Sequence, residues 1–127
     1  MDDAIRAALG HSQAVDITTT GARTGLARRI EIFLHSFDGR LYISGVPNPA
    51  RKRGWLANLE ANPSFTLHLK RPVQADLPAT ARVIRDPAER AALLAKVAQV
   101  WHRHDVGAMV EFSPLIEVSI AGEPEPG

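Results

Sequence analysis

The dipeptide Asp38-Gly39 lies between two runs of alternating residues, and it constrains the fold more than any other feature of this chain. A two-residue hairpin loop of type I′ requires positive φ at both central positions, which Asp and Gly tolerate. The sequence therefore predicts an antiparallel hairpin with a fixed register. The predicted cross-strand pairs are Phe37 with Arg40, His35 with Tyr42, and Leu34 with Ile43.

This register gives the hairpin two unlike faces, because side chains alternate along a strand. The apolar face, which we expect to form core, carries Ile30, Ile32, Leu34, Leu41 and Ile43. The mixed face carries Arg29, Glu31, Phe33, His35, Phe37, Tyr42 and Ser44. It is too polar for a core and too aromatic for an ordinary solvent face. We expect the mixed face to line a ligand or a partner subunit.

Further strands are predicted from alternation and β-branched residues at 14–20, 65–70, 79–85 and 115–120, with a connector at 71–78. Helices are predicted at 3–9 and 50–61. A third helix opens at Asp86-Pro87, with Asp as N-cap and Pro at the first helical position. The apolar stripe of this third helix is Leu93, Leu94, Val97, Val100 and Trp101.

The order of these elements predicts a mostly β fold with flanking helices, of the α+β type. The strands are short and show no regular βαβ alternation, which favours a six-stranded antiparallel sheet closed into a small barrel. We expect residues 1–121 to form a single domain and residues 122–127 to form a disordered C-terminal tail.

Composition excludes several classes of site. The chain has no cysteine, so it has no disulfide, thiolate metal site or cysteine nucleophile. It has no apolar run near the roughly 20 residues that span a bilayer, and its start is acidic where a signal peptide would be basic. We therefore expect a soluble, cytoplasmic protein without a membrane span. The net charge of +1 argues against nucleic-acid binding over the whole surface.

Positive charge is nevertheless concentrated in one part of the chain. Residues 23–53 contain seven basic residues and only the acids Glu31 and Asp38. A local basic pole of this kind suits an anionic ligand. It is equally consistent with a solvated face that acidic residues elsewhere balance.

Two segments within this pole are candidate anion sites. The first, residues 18–25, reads Thr-Thr-Thr-Gly-Ala-Arg-Thr-Gly, and such hydroxyls, backbone N–H groups and an arginine can hold phosphate oxygens. It lacks the pattern of a P-loop, and the alternative is an ordinary hairpin turn. The second is Arg51-Lys52-Arg53 at the start of a predicted helix, where an anion would relieve the unfavourable dipole. The alternatives are a solvent-exposed basic turn, or contacts to carboxylates such as Glu60.

The remaining polar clusters point to no protein-borne chemistry. The spacing of His102, His104 and Asp105 suits a polar helix end better than a metal site, so no metal is predicted. His35 and His68 are interpreted as surface or interface residues. No nucleophile motif or paired-carboxylate site is present, so an enzyme of this sequence would use a bound cofactor for its chemistry.

Two motifs together resemble a known family. Residues 18–28 resemble the TTTGRKSG-x-x-R stretch of the deazaflavin (F420)-dependent nitroreductase family. Residues 55–63, which read Trp-Leu-Ala-Asn-Leu-Glu-Ala-Asn-Pro, are similar to that family's W-Y-x-N-L-x-A-N-P helix. The resemblance implies a split β-barrel related to FMN-binding oxidoreductases. It also implies an enzyme that transfers a hydride from reduced F420 to quinones, nitroaromatics or activated alkenes.

The resemblance also implies cofactor-binding positions. Arg23, Thr24 and Arg28 would approach the phosphate side of the cofactor. Arg51, Lys52 and Trp55 fall in a second contacting segment, and Ser44 and Gly45 end the strand that leads there. We expect a small-molecule electron acceptor as substrate and, by analogy with split barrels, a homodimer through the mixed face.

Departures from the family pattern leave alternatives open. Leu56 replaces the usual tyrosine, and the late segment 101–114 has no tyrosine, since Tyr42 is the only one in the chain. The polar candidates there are His102, His104 and Asp105, so the catalytic proton donor is unassigned. FMN is an alternative cofactor. A non-catalytic barrel that binds a cofactor or nucleic acid is an alternative function, with Phe33, Phe37 and Tyr42 as its stacking aromatics.

Overall fold

The structure is a computed structural model, and it describes residues 2–50 and 53–122. In this part of the chain the helices are α1 (Asp3–Leu9), α2 (Gly54–Ala61), α3 (Pro87–Trp101) and α4 (Val106–Phe112). The strands are β1 (Gln13–Thr20), β2 (Ala27–Phe37), β3 (Arg40–Ser44), β4 (Ser64–Leu69), β5 (Ala75–Val83) and β6 (Leu115–Ile120).

The six strands form a closed barrel in the order β1-β2-β3-β6-β5-β4, and every neighbouring pair is antiparallel. The last strand in the chain, β6, lies between β3 and β5. The predicted six-stranded antiparallel barrel with flanking helices is therefore confirmed. Closure leaves no strand edge unpaired in this sheet, which removes the usual liability of small β proteins.

The hairpin prediction is confirmed residue by residue. Asp38 and Gly39 have φ values of 52° and 78°, as a type I′ turn requires. The three predicted cross-strand pairs, Phe37 with Arg40, His35 with Tyr42, and Leu34 with Ile43, are all present.

Apolar residues that alternate along the strands fill the interior of the barrel. The fully buried members of this core include Val15, Ile17, Leu34, Ile43, Leu67 and Ile116. A second apolar cluster lies outside the barrel, where α3 and α4 cover β2, β3 and β6. It includes Tyr42, Leu94, Val97, Met109 and Leu115, with Trp101 packed against it.

This second cluster corrects the interpretation of the mixed hairpin face. His35 is fully buried and Tyr42 is 5% exposed, so neither is a surface or interface residue. The ring of His35 lies 4.9 Å from Phe33, 5.1 Å from Trp101 and 5.5 Å from Phe37, centroid to centroid. The face is part of a core because α3 packs over it, which the strand pattern alone did not reveal.

Three element boundaries differ from the predictions. The strand expected at 79–85 begins at Ala75, so most of the expected connector is paired. Proline has no N–H group to donate to a neighbouring strand. Pro78 is tolerated in β5 because the polar groups of its main chain face the end of β6, where its carbonyl accepts from Ala121 N–H (2.9 Å). The helix expected from residue 50 begins at Gly54. The short helix α4 was not predicted, since seven residues carry too little periodic signal.

Helix α3 begins as its sequence predicts. The Asp86 carboxylate accepts from Glu89 N–H (2.9 Å), and Pro87 occupies the first turn. Val100, expected on the buried stripe, is 39% exposed, while Ala98 is buried in its place. After β6 the chain turns at Ala121 and Gly122. The predicted tail lies, apart from Gly122, outside the described residues.

Candidate functional site

The β1–β2 turn, residues 21–26, is closed by its own hydrogen bonds. Gly21 N–H donates to the Leu26 carbonyl (2.8 Å), and Gly25 N–H donates to the Gly21 carbonyl (2.9 Å). The Thr24 hydroxyl accepts from Leu26 N–H (3.2 Å). The turn is therefore preformed, and Arg23 and Thr24 are exposed on it.

Asn58 on α2 fastens this turn to the helix. Its side-chain oxygen accepts from Ala22 N–H (2.9 Å), and its nitrogen donates to the Thr19 hydroxyl (3.0 Å). The two sequence motifs, which are far apart in the chain, thus meet through one amide. Asn58 was not among the predicted site residues. The signal that could have identified it is the asparagine inside the W-x-x-N motif.

Replacing Asn58 with alanine is expected to release the turn from α2. The substitution removes two hydrogen bonds, one exposed and one to the buried Thr19, so we expect a loss of about 1–2 kcal/mol of unfolding free energy. Urea unfolding measures this loss. Trypsin cleavage after Arg23 should accelerate in the same variant. Gln99→Ala, at an exposed amide on α3, is the matched control; equal cleavage rates in both variants would contradict the role of Asn58.

The basic pole has fewer uncompensated positive charges in the structure than the sequence indicates. Arg29 pairs with Asp16 (3.0 Å), and Arg40 pairs with Glu117 (3.0 Å), so these charges are compensated. Arg23 and Arg28 are exposed and have no ion pair within residues 2–50 and 53–122. Arg51 and Lys52, two of the predicted site residues, lie outside the described residues.

A cleft of about 440 Å³ lies along the other flank of α2. Its walls come from α2, the end of β5, the loop at Asn48-Pro49, and the junction between α4 and β6. The lining includes Arg53, Leu56, Phe112, Ser113, Pro114 and Leu115. Its volume lies within the range of about 300–1,000 Å³ that is usual for ligand sites.

Ser44 and Gly45 lie against the wall of this cleft. The Ser44 hydroxyl donates to the Pro114 carbonyl (2.7 Å), which joins the end of β3 to the start of β6. A Cβ on Gly45 would lie 3.1 Å from both the Arg53 guanidinium and the Pro114 ring, so a side chain there would push these groups apart. The Arg53 guanidinium donates to the Val46 carbonyl. The predicted contact residues Ser44 and Gly45 therefore shape the cleft wall.

Arg90 holds the α4–β6 junction in place. Its guanidinium donates to the carbonyls of Val110 (2.9 Å), Ile84 (3.0 Å), Met109 (3.4 Å) and Ser113 (2.6 Å). A cation suits this position, because the carbonyls at a helix C-terminus carry partial negative charge. Burial lowers the pKa of Arg90 from its ordinary value. This residue, which sequence reasoning missed, fixes the backbone of the cleft wall.

The predicted site residues fall on two flanks of one helix. Asn58, on α2, contacts the turn that carries Arg23 and Thr24, whereas Leu56 and Glu60, on the opposite side of the same helix, line the cleft. Trp55 is half-buried against the barrel core between them. The N-terminal end of α2 has no side-chain cap and no acid in its first turn, so it also favours an anion.

The late polar residues do not reach the cleft. His102 ends α3 in the left-handed conformation, and Asp105 is bound by Arg103 (2.8 Å) at the beginning of α4, whereas the cleft lies at the end of that helix. The Arg103 guanidinium lowers the pKa of Asp105. The described residues contain no group of three or more side chains that could hold a metal ion.

His68 is also corrected, since it is 7% exposed and not a surface residue. It lies in a hydrogen-bonded chain on the outer face of the barrel, with Nε2 2.6 Å from the Thr18 hydroxyl and Nδ1 2.7 Å from Asp76. A depression of about 540 Å³ beside Asp76 has Arg29 and Lys70 in its lining. Both cations already pair with Asp16, so this depression offers less free charge than the turn.

The solved structures that resemble this chain share its fold. A structure described as an F420 reductase aligns with a TM-score of 0.72 and 15% identity over 96% of this chain and 97% of its own. A conserved hypothetical protein of Mycobacterium tuberculosis aligns at 0.72 and 14%, over 100% and 91%. An F420-H2-dependent reductase aligns at 0.61 and 21%, over 84% and 93%. No match was found among curated proteins.

The closed six-stranded barrel and its flanking helices, which these neighbours share, define the fold class as a split β-barrel. Within that class the assignment is narrower, because the sequence profile described as F420H(2)-dependent quinone reductase matches residues 5–120. The chain belongs to this family. It is an F420-dependent reductase, and its cofactor is F420. The non-catalytic alternative is therefore wrong, and its proposed stacking residue Tyr42 is buried.

The residues present fit this cofactor. F420 combines a planar ring with an anionic tail. The structure offers a cleft on one flank of α2 and, on the other flank, two exposed arginines without acidic partners in the described part of the chain. A buried hydroxyl without a partner, Ser113 Oγ, lies in the cleft wall. Among the described residues, no helix is long and apolar enough to cross a membrane.

Proposed function

We propose that this protein binds reduced F420 with its ring in the cleft and its anionic tail toward the β1–β2 turn, and that it reduces quinones. When bound, the reduced cofactor supplies a hydride, and a proton from water or a side chain completes the reduction of the quinone to a hydroquinone. The observation that carries the proposal is the Asn58 link, which holds the arginine-bearing turn beside the helix that forms the cleft.

The tail would be held by charge. Arg23, Thr24 and Arg28 would contact it on one flank of α2, and Arg51 and Lys52 precede the N-terminal end of that helix. Hydrogen bonds between a guanidinium and a phosphate or carboxylate are about twice as strong as neutral ones. Arg23 and Arg28 have no acid in the described part of the chain to displace, so binding there costs no existing ion pair.

The cleft would hold the ring and one face of the acceptor. Ser44 and Gly45 would support the wall against which the ring lies, since Ser44 bonds the Pro114 carbonyl and the absence of a side chain at Gly45 lets Arg53 and Pro114 pack beside it. Phe112 and Val46 are 40% and 49% exposed at or beside the cleft, and they give an apolar acceptor a surface to contact. The chain's contribution to catalysis would be positioning and exclusion of water, with donor and acceptor atoms about 3–3.5 Å apart.

Quinones are the acceptors best supported, because the family description names them and the exposed Phe112 at the cleft offers an apolar contact. Nitroaromatics and activated alkenes are planar electron acceptors of similar size and remain candidate substrates. A homodimer is also proposed; a neighbour at 21% identity, with a TM-score of 0.58 over 84% of this chain and 79% of its own, is described as a domain-swapped dimer. Sedimentation of the purified protein measures its oligomeric state.

The test of the proposed function is a binding titration of F420 against FMN, followed by turnover with reduced F420 and menadione. Wild type should bind F420 more tightly than FMN and should oxidise reduced F420 only when menadione is present. Absence of F420 binding together with absence of turnover would overturn the proposal. Tighter binding of FMN would instead favour FMN as the cofactor.

Replacing Arg51 with alanine is expected to weaken F420 binding about tenfold, which corresponds to the loss of one charge-assisted contact. Arg23→Ala and Arg28→Ala should have effects of similar size. Arg6→Ala, which removes an exposed arginine on α1, is the control and should leave the affinity unchanged. An unchanged dissociation constant in Arg51→Ala would remove that residue from the tail site.

A further inference from the structure

The hydroxyl of Ser113 is a buried polar atom without a hydrogen-bond partner. Ser113 is 3% exposed, and its Oγ and the ring nitrogens of His35 are the unpartnered buried side-chain polar atoms in the described part of the chain. His35 lies among aromatic rings in the second core, whereas Ser113 lies in the wall of the cleft. A buried hydroxyl without a partner is unfavourable, so its presence in a cleft wall indicates a partner that binds there.

The backbone around Ser113 cannot shift to provide a partner. Ser113 N–H donates to the Met109 carbonyl (2.9 Å), and the Ser113 carbonyl accepts from Arg90 (2.6 Å). The carbonyl of the next residue, Pro114, accepts from the Ser44 hydroxyl (2.7 Å). Main-chain bonds therefore fix the residue on both sides, and the side chain keeps one freedom, rotation about its Cα–Cβ bond, by which the buried hydroxyl can turn toward the cleft.

The chemistry of the surrounding wall limits what the hydroxyl can bind. Leu56, Phe112, Pro114 and Leu115 form the apolar part of the lining, which suits a flat ring, and the polar part includes Asn48, Arg53, Arg85 and Glu111. The carboxylate of Glu60 is already bound by Arg85 (3.0 Å). The polar edge of a heteroaromatic ring, which carries carbonyl and N–H groups, would offer Ser113 an acceptor or a donor while the ring faces the apolar walls.

We infer that the Ser113 hydroxyl hydrogen-bonds the polar edge of the cofactor's ring and so acts as a positioning residue for it. The inference rests on the proposed function, since it places the ring in the cleft. It assigns to Ser113 a role that differs from that of the arginines: Ser113 recognises the ring, and the arginines recognise the tail. A serine that packs only against protein would instead contribute to the fold alone.

The experiment compares Ser113→Ala with wild type in two measurements. The first is the dissociation constant for F420, taken from quenching of its fluorescence, and we expect an increase of about tenfold. The second is the thermal midpoint of the protein without cofactor, which we expect to stay the same or rise because a buried unpaired hydroxyl is removed. Ser119→Ala, at an exposed serine on β6, should change neither value.

A shortened ligand separates the ring from the tail. The deazaflavin nucleus without its phosphate and glutamate tail should lose the same factor of about ten on Ser113→Ala, because the lost contact is to the ring. Arg51→Ala should weaken F420 but leave binding of this fragment unchanged. Ser113→Cys, which keeps the size and a weaker donor, should fall between wild type and alanine.

The outcomes distinguish the inference from the proposed function. Failure of wild type to bind F420 would overturn both. Binding by wild type with an unchanged constant in Ser113→Ala would overturn the inference alone. A weaker constant accompanied by a lower thermal midpoint would show that Ser113 supports the fold rather than the ring, and it would overturn the inference as well.

Discussion

Replacement of Arg90 by methionine is expected to cost about 3 kcal/mol of unfolding free energy. Methionine keeps the length of the side chain but donates no hydrogen bond. Four carbonyls, those of Ile84, Met109, Val110 and Ser113, would lose the Arg90 donors. Two of them belong to the last turn of α4, where the positive charge also interacts favourably with the negative end of the helix dipole. Urea unfolding monitored by the fluorescence of the two tryptophans, Trp55 and Trp101, measures the change.

Arg90→Lys tests whether charge alone is sufficient. An ammonium is a point donor and cannot reach four carbonyls that a planar guanidinium spans, so we expect this variant to recover less than half of the loss. Arg85→Ala is the control, because Arg85 is exposed and its ion pair with Glu60 is worth at most about 1 kcal/mol. If Arg90→Met unfolds at the same urea concentration as the control, the guanidinium does not hold the junction.

Acid should destabilise this protein through His35. Burial lowers the pKa of His35 from 6.5 to about 4 in the folded state. Between these values the unfolded chain binds more protons than the folded chain, so the unfolding free energy rises with pH. The contribution of neutral His35 to the unfolding free energy is complete above the pKa of the unfolded state. It is lost as pH falls toward the pKa of the folded state. From pH 7.5 to 4.5 the expected loss is about 2.5 kcal/mol.

His35→Leu should remove this part of the pH dependence. Leucine has a similar volume and does not titrate, so the variant should lose less stability than wild type over the same pH range. His11→Gln, which replaces an exposed histidine, should follow the wild-type curve. Parallel curves for His35→Leu and wild type would show that protonation of His35 does not oppose folding. The comparison of slopes cancels the carboxylates that titrate in both proteins.

The sequence predicted the barrel well because its strongest signals are local. The Asp38-Gly39 turn fixes the register of a whole hairpin, and the Asp86-Pro87 cap fixes the beginning of α3. The mixed face was misread for the opposite reason. Its burial depends on α3, which follows in the chain by about fifty residues, and no local pattern says which strand face a later helix will cover.

The sequence proposes cofactor contacts only where charge and motif coincide. Arg23 and Thr24 stand in a distinctive turn and Arg28 follows it in β2, and the structure leaves all three exposed, while their contact with the cofactor stays a prediction. Arg90 and Ser113 were missed because their roles depend on backbone carbonyls and on a cleft wall. Hydrogen bonds from a side chain to distant main chain leave no periodicity in sequence. Asn58 is an intermediate case. It stands in the W-x-x-N motif, but the motif does not indicate which groups its side chain binds.

The position of β6 in the sheet has a consequence for synthesis on the ribosome. The last strand of the chain is inserted between β3 and β5, so the wall stays open until the residues up to Ile120 have left the exit tunnel. The nascent chain must keep the strand edges of β3 and β5 apart from other chains until then. The barrel wall therefore closes only after β6 has emerged, and a chain that is stalled or truncated before β6 exposes the two edges that this strand would cover.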